Sequence, residues 1–137
     1  GRDFKELKTA TNNFMEWQNW RPTFVSYRAN YTGAQTDAAV VTVAAGQKAV
    51  VTQGQIIASN ANTVSPACRV GFGGTACPVN SGVIVAHPGV PAGGGVSRGN
   101  GEGIIAEGAD GEDIRITCAA PTGGSIDVLL TYFTQAV

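Results

Sequence analysis

The chain has few charged residues and no long apolar run. Of its 137 residues only 14% are charged, and nine basic against ten acidic residues leave a net charge of -1. Because no basic run could neutralise a row of phosphates, nucleic acid is not an expected partner. The longest apolar runs hold about five residues. About 20 are needed to cross a bilayer, so no membrane partner is expected either.

The side chains that metal and nucleotide sites require are also scarce. The sequence has one histidine and no Cys-x-x-Cys pair. It has neither the Gly-x-x-x-x-Gly-Lys motif nor the Gly-x-Gly-x-x-Gly motif that cradle phosphate groups. We therefore expect no cofactor and no metal ion.

Cysteine is present in an odd number, which excludes a fully paired single chain. Cys68 and Cys77 could close a short loop, and whether they are bridged stays open at this point. Cys118 alternates with Ile114 and Ile116, so we predict a small, buried and unpaired core residue there.

Glycine is abundant where the chain is expected to turn. Ten of the nineteen glycines lie between Gly82 and Gly111, around short runs of valine and isoleucine. Glycine supplies the positive φ angles that hairpin turns and bulges demand. This pattern predicts short antiparallel strands joined by tight turns.

Alternating apolar residues indicate strands from residue 23 onward. Thr23, Val25, Tyr27, Ala29 and Tyr31 would share the apolar side of the first strand. Further strands are predicted at about 38–44, 48–59, 66–72, 82–87, 101–107, 112–118 and 124–135. The expected fold is a mainly β, single antiparallel β-sandwich, most simply a jelly roll of about eight strands. The last strand is apolar on both faces, as in a central strand or one at a subunit interface.

The first 22 residues have a different pattern. Apolar side chains recur there at steps of three or four, and Arg21-Pro22 ends any helix. We predict a short amphipathic helix or arm at 1–22 and a sandwich domain at 23–137. The arm would either cover the domain's own underside or dock on another subunit or a host protein. Its candidate assembly residues are Phe4, Leu7, Phe14, Trp17 and Trp20.

Two short motifs could suggest catalysis. Gly95-Val-Ser-Arg-Gly99 matches the turn that exposes a catalytic serine, but a helix must follow that turn, and Gly99-Asn-Gly-Glu-Gly cannot form one. We therefore predict a glycine-rich loop around Ser97. His87 stands before Pro88 at a strand end and is predicted to be a turn residue. No catalytic residue is assigned, and the chain is not expected to be an enzyme.

Carboxylates cluster at Asp110, Glu112 and Asp113. Their spacing is not the alternate-position spacing of a calcium loop, so a solvated Asp-Gly turn is predicted. Glu102 and Glu107 could pair with Asp113 only if the fold brought them together.

Four segments carry a resemblance to known proteins. They are Arg69-Val-Gly-Phe-Gly, His87-Pro-Gly-Val-Pro-Ala-Gly-Gly-Gly, Gly108-Ala-Asp-Gly-Glu-Asp-Ile-Arg-Ile-Thr-Cys and Pro121-Thr-Gly-Gly-Ser. The stretch 67–133 that contains them is similar to small β-sandwich structural proteins of tailed bacteriophages, namely capsid decoration or fibre-head modules. This resemblance implies a virion protein that forms homo-oligomers, with a trimer favoured, and that binds a larger protein assembly such as a capsid. The alternative is an extracellular sandwich module that binds a receptor or a carbohydrate.

Overall fold

Strands, turns and loops make up the described part of the chain, which in this computed structural model is residues 23–73 and 83–137. Within these ranges there is no helix that would be long and apolar enough to cross a membrane. The predicted arm, with Phe4, Leu7, Phe14, Trp17 and Trp20, lies outside the described residues, and so does Cys77.

The described residues form nine strands. In chain order they are β1 (Val25–Tyr31), β2 (Gln35–Val41), β3 (Gln47–Ala58), β4 (Cys68–Phe72), β5 (Val83–His87), β6 (Gly95–Gly99), β7 (Ala106–Glu107), β8 (Ile114–Cys118) and β9 (Ile126–Ala136). Most of them lie within a few residues of the strands that the alternating pattern predicts.

Two antiparallel sheets pack face to face. The large sheet has the order β1-β9-β3-β6, with β7 also beside β3, and the small sheet has the order β2-β8-β4-β5. Successive strands mostly alternate between the sheets, which gives the strand order of a jelly roll. The predicted antiparallel β-sandwich is therefore confirmed. β9 lies between β1 and β3, as its apolar residues on both faces indicated.

The core fills the space between the sheets with branched aliphatic side chains. On β1, Tyr27 and Tyr31 pack against this core, as the alternation predicted, whereas Ser26 and Arg28 are exposed. Burial of each such valine or isoleucine contributes about 1.5–3 kcal/mol relative to an exposed side chain. The largest fully buried members are Ile56, Ile84, Ile114, Ile116, Ile126 and Leu130.

Gly54 lets the two sheets approach closely where β5 crosses β3. A Cβ atom at this position would lie 2.7 Å from Cγ2 of Ile84 and 3.3 Å from Cγ1 of Val85. Because Ile84 is fully buried, it has little room to move away. Side chains of β5 thus occupy the space that a side chain at position 54 would need.

The prediction of a loop around Ser97 was wrong. Residues 95–99 form strand β6, which pairs with residues 53–57 of β3, while only Ala106–Glu107 of the predicted 101–107 strand is extended. The glycines of this segment allow the backbone of β6 to come close to the backbone of β3. At Gly99, with φ +80°, a Cβ atom would collide with the carbonyl oxygen of Thr52. A glycine that the sequence indicates as a turn residue can equally be one that lets two backbones meet.

The cysteine prediction was right about burial and wrong about pairing. Cys118 is buried, but it forms a disulfide with Cys68 rather than remaining a thiol. Cys68 is therefore not bridged to Cys77. The two paired cysteines lie directly opposite each other on β4 and β8, with Cα atoms 4.1 Å apart. Their separation of 50 residues in sequence gave no sign that these two strands are neighbours.

Candidate assembly edge and small-sheet groove

β1 forms an edge of the large sheet. All seven of its residues pair with β9 in unbroken register, from Val25 opposite Tyr132 to Tyr31 opposite Ile126. Among residues 23–73 and 83–137 no strand pairs with its other side. The backbone N–H and C=O groups on that side are a template on which a further strand could form.

The features that usually protect an edge strand are missing from β1. Such strands commonly carry a bulge, a proline or an inward-pointing charge. The pairing of β1 has no register shift, and its sequence, Val-Ser-Tyr-Arg-Ala-Asn-Tyr, has no proline. Its one charged residue, Arg28, is largely exposed and forms an ion pair of 2.8 Å with Asp127 on β9. Within the described ranges 23–73 and 83–137, β1 is therefore an open edge.

The edge of the small sheet at β2 is protected. β2, the neighbouring edge in the small sheet, contains two register shifts, and Asp37 within it has a φ of +47°. Bulges of this kind bend a strand and interrupt its pairing groups. Arg115 holds the irregular backbone by donating a hydrogen bond of 2.8 Å to the carbonyl oxygen of Asp37.

Arg98 bridges the edges on the opposite side of the sandwich. Its guanidinium group donates to the carbonyl oxygens of Val83 and Ile84, at 3.1 and 3.2 Å. It also donates to the carbonyl oxygen of Ile105 at 3.2 Å. One side chain on β6 thus ties the large sheet to β5 of the small sheet and occupies two of the carbonyl acceptors of β5.

An apolar patch begins where β1 begins. Phe24 is 45% exposed and Val25 is 41% exposed. The ring of Phe24 packs edge-on against Phe133 of β9, with ring centroids 5.4 Å apart. Exposed aromatic and aliphatic side chains next to an open edge add apolar contact area for a partner. The alternation places Phe24 on the outer side of β1, but its contact with Phe133 required the strand order and was not predicted.

A groove lies on the small sheet beside the disulfide. Its volume is about 500 Å³. Arg69 of β4 stands opposite Thr117 of β8 and Ala86 of β5, so these three residues form a row across three strands. The residues that line the groove are Ala67, Cys68, Arg69, Ala86, His87, Pro88, Thr117 and Ala119. The sequence gave no signal for this groove because its residues come from three separate segments.

His87 lies at the end of β5, where the sequence predicted a turn residue. The backbone N–H of Gly89 donates to its Nδ1 at 3.0 Å, which fixes the ring against the following turn. Ser97 lies in the middle of β6 opposite Gln55. A residue in a paired strand is not on the sharp strand-to-helix turn that exposes a catalytic serine.

The acidic cluster holds a loop to its neighbour. Asp110 and Asp113 accept backbone N–H groups of Gly46 and Val43, at 2.6 and 2.8 Å. Glu112 accepts the N–H of Ala109 at 3.0 Å. Asp110 and Asp113 therefore fasten the loop before β8 to the segment before β3, while Glu112 bonds within its own loop. Among the described residues no group of three or more metal-ligating side chains occurs.

The remaining predicted carboxylates have different partners. Oε1 of Glu107 lies 3.5 Å from Nζ of Lys48, and Oδ2 of Asp113 lies 3.6 Å from Nη2 of Arg115. The backbone N–H of Glu102 donates to the side chain of Asn100 in the loop after β6. The carboxylates of Glu107 and Asp113 thus have separate basic partners, which favours structural roles for these two over a shared catalytic site.

Two tyrosines near β1 have altered acidity. Burial raises the pKa of Tyr31 above its usual value, and the nearby Tyr27 raises it further. The pKa of Tyr132 is raised by the same two causes in the same order. Both hydroxyls therefore stay neutral to a higher pH than free tyrosine.

Comparison with known proteins gives distant structural likenesses. No protein family and no curated protein matches the sequence. The fold is similar to a chain of the disulfide-linked pili of Bacillus endospore appendages, with TM-score 0.41 and 13% identity over 87% of this chain and 93% of that chain. It is also similar to part of a chain of infectious bursal disease virus, Gt strain, with TM-score 0.37 and 10% identity over 85% of this chain and 34% of that chain.

A third likeness is to the IMPa metallopeptidase from Pseudomonas aeruginosa. The TM-score is 0.37 and the identity 12%, over 84% of this chain and 13% of the metallopeptidase chain. A pilus and a virus are assemblies, while the third is an enzyme, and none of the three is a bacteriophage protein. With TM-scores below 0.5, these likenesses assign neither a family nor a function to this chain.

Proposed function

We propose that this chain is a structural subunit without catalytic activity that assembles with copies of itself through the open edge of β1. The observation that supports this proposal is the seven-residue, unbulged pairing of β1, which among the described residues has a partner strand on one side only. A strand from a second copy would satisfy the backbone groups on the other side. Phe24 and Val25 would be covered in the same contact.

The charge balance allows such an assembly. A net charge of -1 gives copies little long-range repulsion. Because the pairing of β2 is interrupted and Arg98 occupies two carbonyl groups of β5, the geometry favours β1 of one copy beside β1 of another, which is a two-fold contact. The trimer that the phage resemblance implies would instead need β1 to meet a different surface. The mass of the assembly distinguishes these arrangements.

Disulfide bonds persist outside the reducing cytosol. The buried disulfide therefore supports a location there. Within this proposal the assembly is a virion component, as the phage resemblance implies, and an extracellular location is the alternative. The arm at 1–22 would dock on a larger assembly such as a capsid. Deletion of residues 1–22 should then leave the β1 contact and the melting temperature unchanged while abolishing docking.

A carbohydrate-binding module receives less support. Sugar rings stack on exposed aromatic side chains, and Phe24 is the one large aromatic residue that is strongly exposed among the described residues. Its ring already packs against Phe133.

Two proline variants test the role of the edge. Backbone N–H groups point alternately to either side of a strand, so one of Arg28→Pro and Ala29→Pro removes a donor from the open side and the other removes a donor to β9. The melting temperature at high dilution, where copies are dissociated, identifies them, because only loss of a β9 bond weakens the sheet within one chain. We expect the variant with the nearly unchanged melting temperature to have the mass of a single chain. Arg28→Gln is the matched control and should still assemble. A thermally intact proline variant that keeps the wild-type mass would overturn the proposal.

A further inference from the structure

We infer that Asp127 allows two copies of β1 to pair, because it neutralises Arg28 at the two-fold axis of that contact. This inference rests on the proposed function, since it concerns the same edge. Asp127 belongs to β9 and is not part of the open edge. It is therefore a positioning residue for self-assembly that acts through Arg28.

Symmetry decides which residues of the two strands face each other. Identical edge strands that a two-fold axis joins into one sheet run antiparallel, and residues directly opposite each other have side chains on the same face. Their numbers therefore differ by an even number, and one residue lies opposite itself. β1 is seven residues long, so the whole strand is paired only when its middle residue, Arg28, lies opposite itself. Ser26 of each copy then lies opposite Asn30 of the other.

Two like charges meet in this pairing. Arg28 is the one charged residue of β1, and its side chain is 67% exposed. Tyr27 packs against the core, so the next residue, Arg28, points to the outer face of the large sheet. The guanidinium groups of the two copies would stand there side by side, and like charges directly opposite each other destabilise a strand pair. Arg28 on its own therefore opposes the contact.

Asp127 offsets this repulsion. Its Oδ2 accepts a hydrogen bond from Nη2 of Arg28 at 2.8 Å, and its Oδ1 accepts one from Nδ2 of Asn30 at 2.6 Å. Because β9 lies on the side of β1 away from the open edge, the ion pair also draws the guanidinium group away from the second copy. The Asp127 side chain is 21% exposed, which leaves its attraction for Arg28 less screened than in a fully exposed pair. The contact thus joins two neutral pairs instead of two cations.

A contact centred on Tyr27 is the nearest alternative. It places Arg28 opposite Ser26 of the second copy, which also separates the two charges. However, the end of β1 then extends past the start of the other strand, and its backbone groups lose their partners. Because Asp127 already neutralises Arg28, nothing requires this loss, and the fully paired register is expected.

Cysteine crosslinking tests the register. Residues directly opposite each other in antiparallel strands have Cα atoms about 4.5–5.5 Å apart, which suits a disulfide. Ser26→Cys with Asn30→Cys in one chain reports the fully paired register. This variant keeps both Arg28 and Asp127.

The matched variant is Val25→Cys with Ala29→Cys, which reports the contact centred on Tyr27. Both variants also carry Cys77→Ala, so that oxidation by air joins copies only at β1. We expect the first variant to form covalent dimers and the matched variant to remain single chains. Covalent dimers of the matched variant alone, of both variants or of neither overturn the inference.

Charge variants test the role of Asp127. Asp127→Asn keeps the shape of the side chain but leaves Arg28 uncompensated, so dimerisation should weaken about threefold to fivefold in about 10 mM salt. In about 1 M salt, where charges are screened within a few Å, this variant and the wild type should dimerise equally. Arg28→Gln together with Asp127→Asn is the matched control and should dimerise like the wild type in low salt too. Light scattering over a range of concentrations gives the dissociation constants.

A purely structural role for Asp127 gives a different result, because neither salt nor Arg28→Gln would restore dimerisation. A defect that both leave unchanged therefore overturns the inference, and so does an Asp127→Asn chain that dimerises like the wild type in low salt. A wild-type mass of 14.0 kDa at every concentration contradicts the proposed function and, with it, this inference. Wild-type dimers without the expected crosslinks contradict only the register and the role of Asp127.

Discussion

Cys68 and Cys118 stand directly opposite each other on neighbouring strands and are joined by a disulfide, with Cα atoms 4.1 Å apart. The bond closes a chain segment of 50 residues that includes β5, β6 and β7. The bond crosslinks β4 to β8, the two inner strands of the small sheet. It therefore restricts the conformations that the unfolded chain can adopt. It also forms part of the groove wall.

Removal of this disulfide should destabilise the sandwich. Cys68→Ala with Cys118→Ala is expected to lower the free energy of unfolding by about 2–4 kcal/mol, mostly because the unfolded chain regains freedom. Denaturant unfolding measures the change. Cys77→Ala is the control and should unfold like the wild type. A double variant as stable as the wild type would show that the bond contributes little.

Gly54→Ala should weaken the contact between the sheets. Its Cβ atom would lie 2.7 Å from Cγ2 of the fully buried Ile84, so we expect a loss of about 1–3 kcal/mol from overpacking. Gly33→Ala serves as the control, because nothing lies within 4 Å of the added atom there. Thermal unfolding of the two variants compares them, and equal melting temperatures would contradict the packing at Gly54.

Arg98→Lys should loosen the side of the sandwich formed by β5 and β6. A lysine keeps the charge but cannot reach three carbonyl oxygens with a planar fork, so a loss of about 1–3 kcal/mol is expected. Hydrogen exchange should accelerate at residues 95–99. Arg28→Gln, at an exposed ion pair, should change stability by less than about 1 kcal/mol. Unchanged exchange in Arg98→Lys would contradict this role.

The free energy of unfolding should fall at alkaline pH because Tyr31 and Tyr132 have a raised pKa in the folded chain. Burial and the proximity of Tyr27 raise the pKa of Tyr31 and Tyr132 in the folded chain. Above about pH 10, the unfolded chain loses these protons first and binds fewer of them than the folded chain, so the free energy of unfolding decreases as the pH rises. Phenolate absorbance should show Tyr31 and Tyr132 ionising at a higher pH in the folded chain than in the denatured chain. Coincident titrations of the folded and denatured chains would contradict the shift.

The sequence predicted the fold class because alternation and turn residues are local signals. Tyr27 and Tyr31 on one face of β1, and the apolar residues on both faces of β9, follow from a period of two. Strand β6 was missed because three of its features, Gly95, Gly99 and the short Val-Ser-Arg run, are also those of a loop. Only contact with β3 distinguishes the two.

The candidate surfaces depended on information that the sequence does not contain. That β1 is an edge follows from the order of strands in the large sheet, and the row of Arg69, Thr117 and Ala86 follows from the register of the small sheet. The same is true of the partner of Cys118. The predicted assembly residues of the arm at 1–22 stay predictions.

The mass of the full chain in solution, measured by light scattering over a range of concentrations, tests the proposed self-assembly most directly. A chain of 14.0 kDa that pairs β1 with β1 should reach twice that mass as the concentration rises. Three times the mass would keep self-assembly but replace this contact by another. A mass of 14.0 kDa at every concentration would contradict the proposed function.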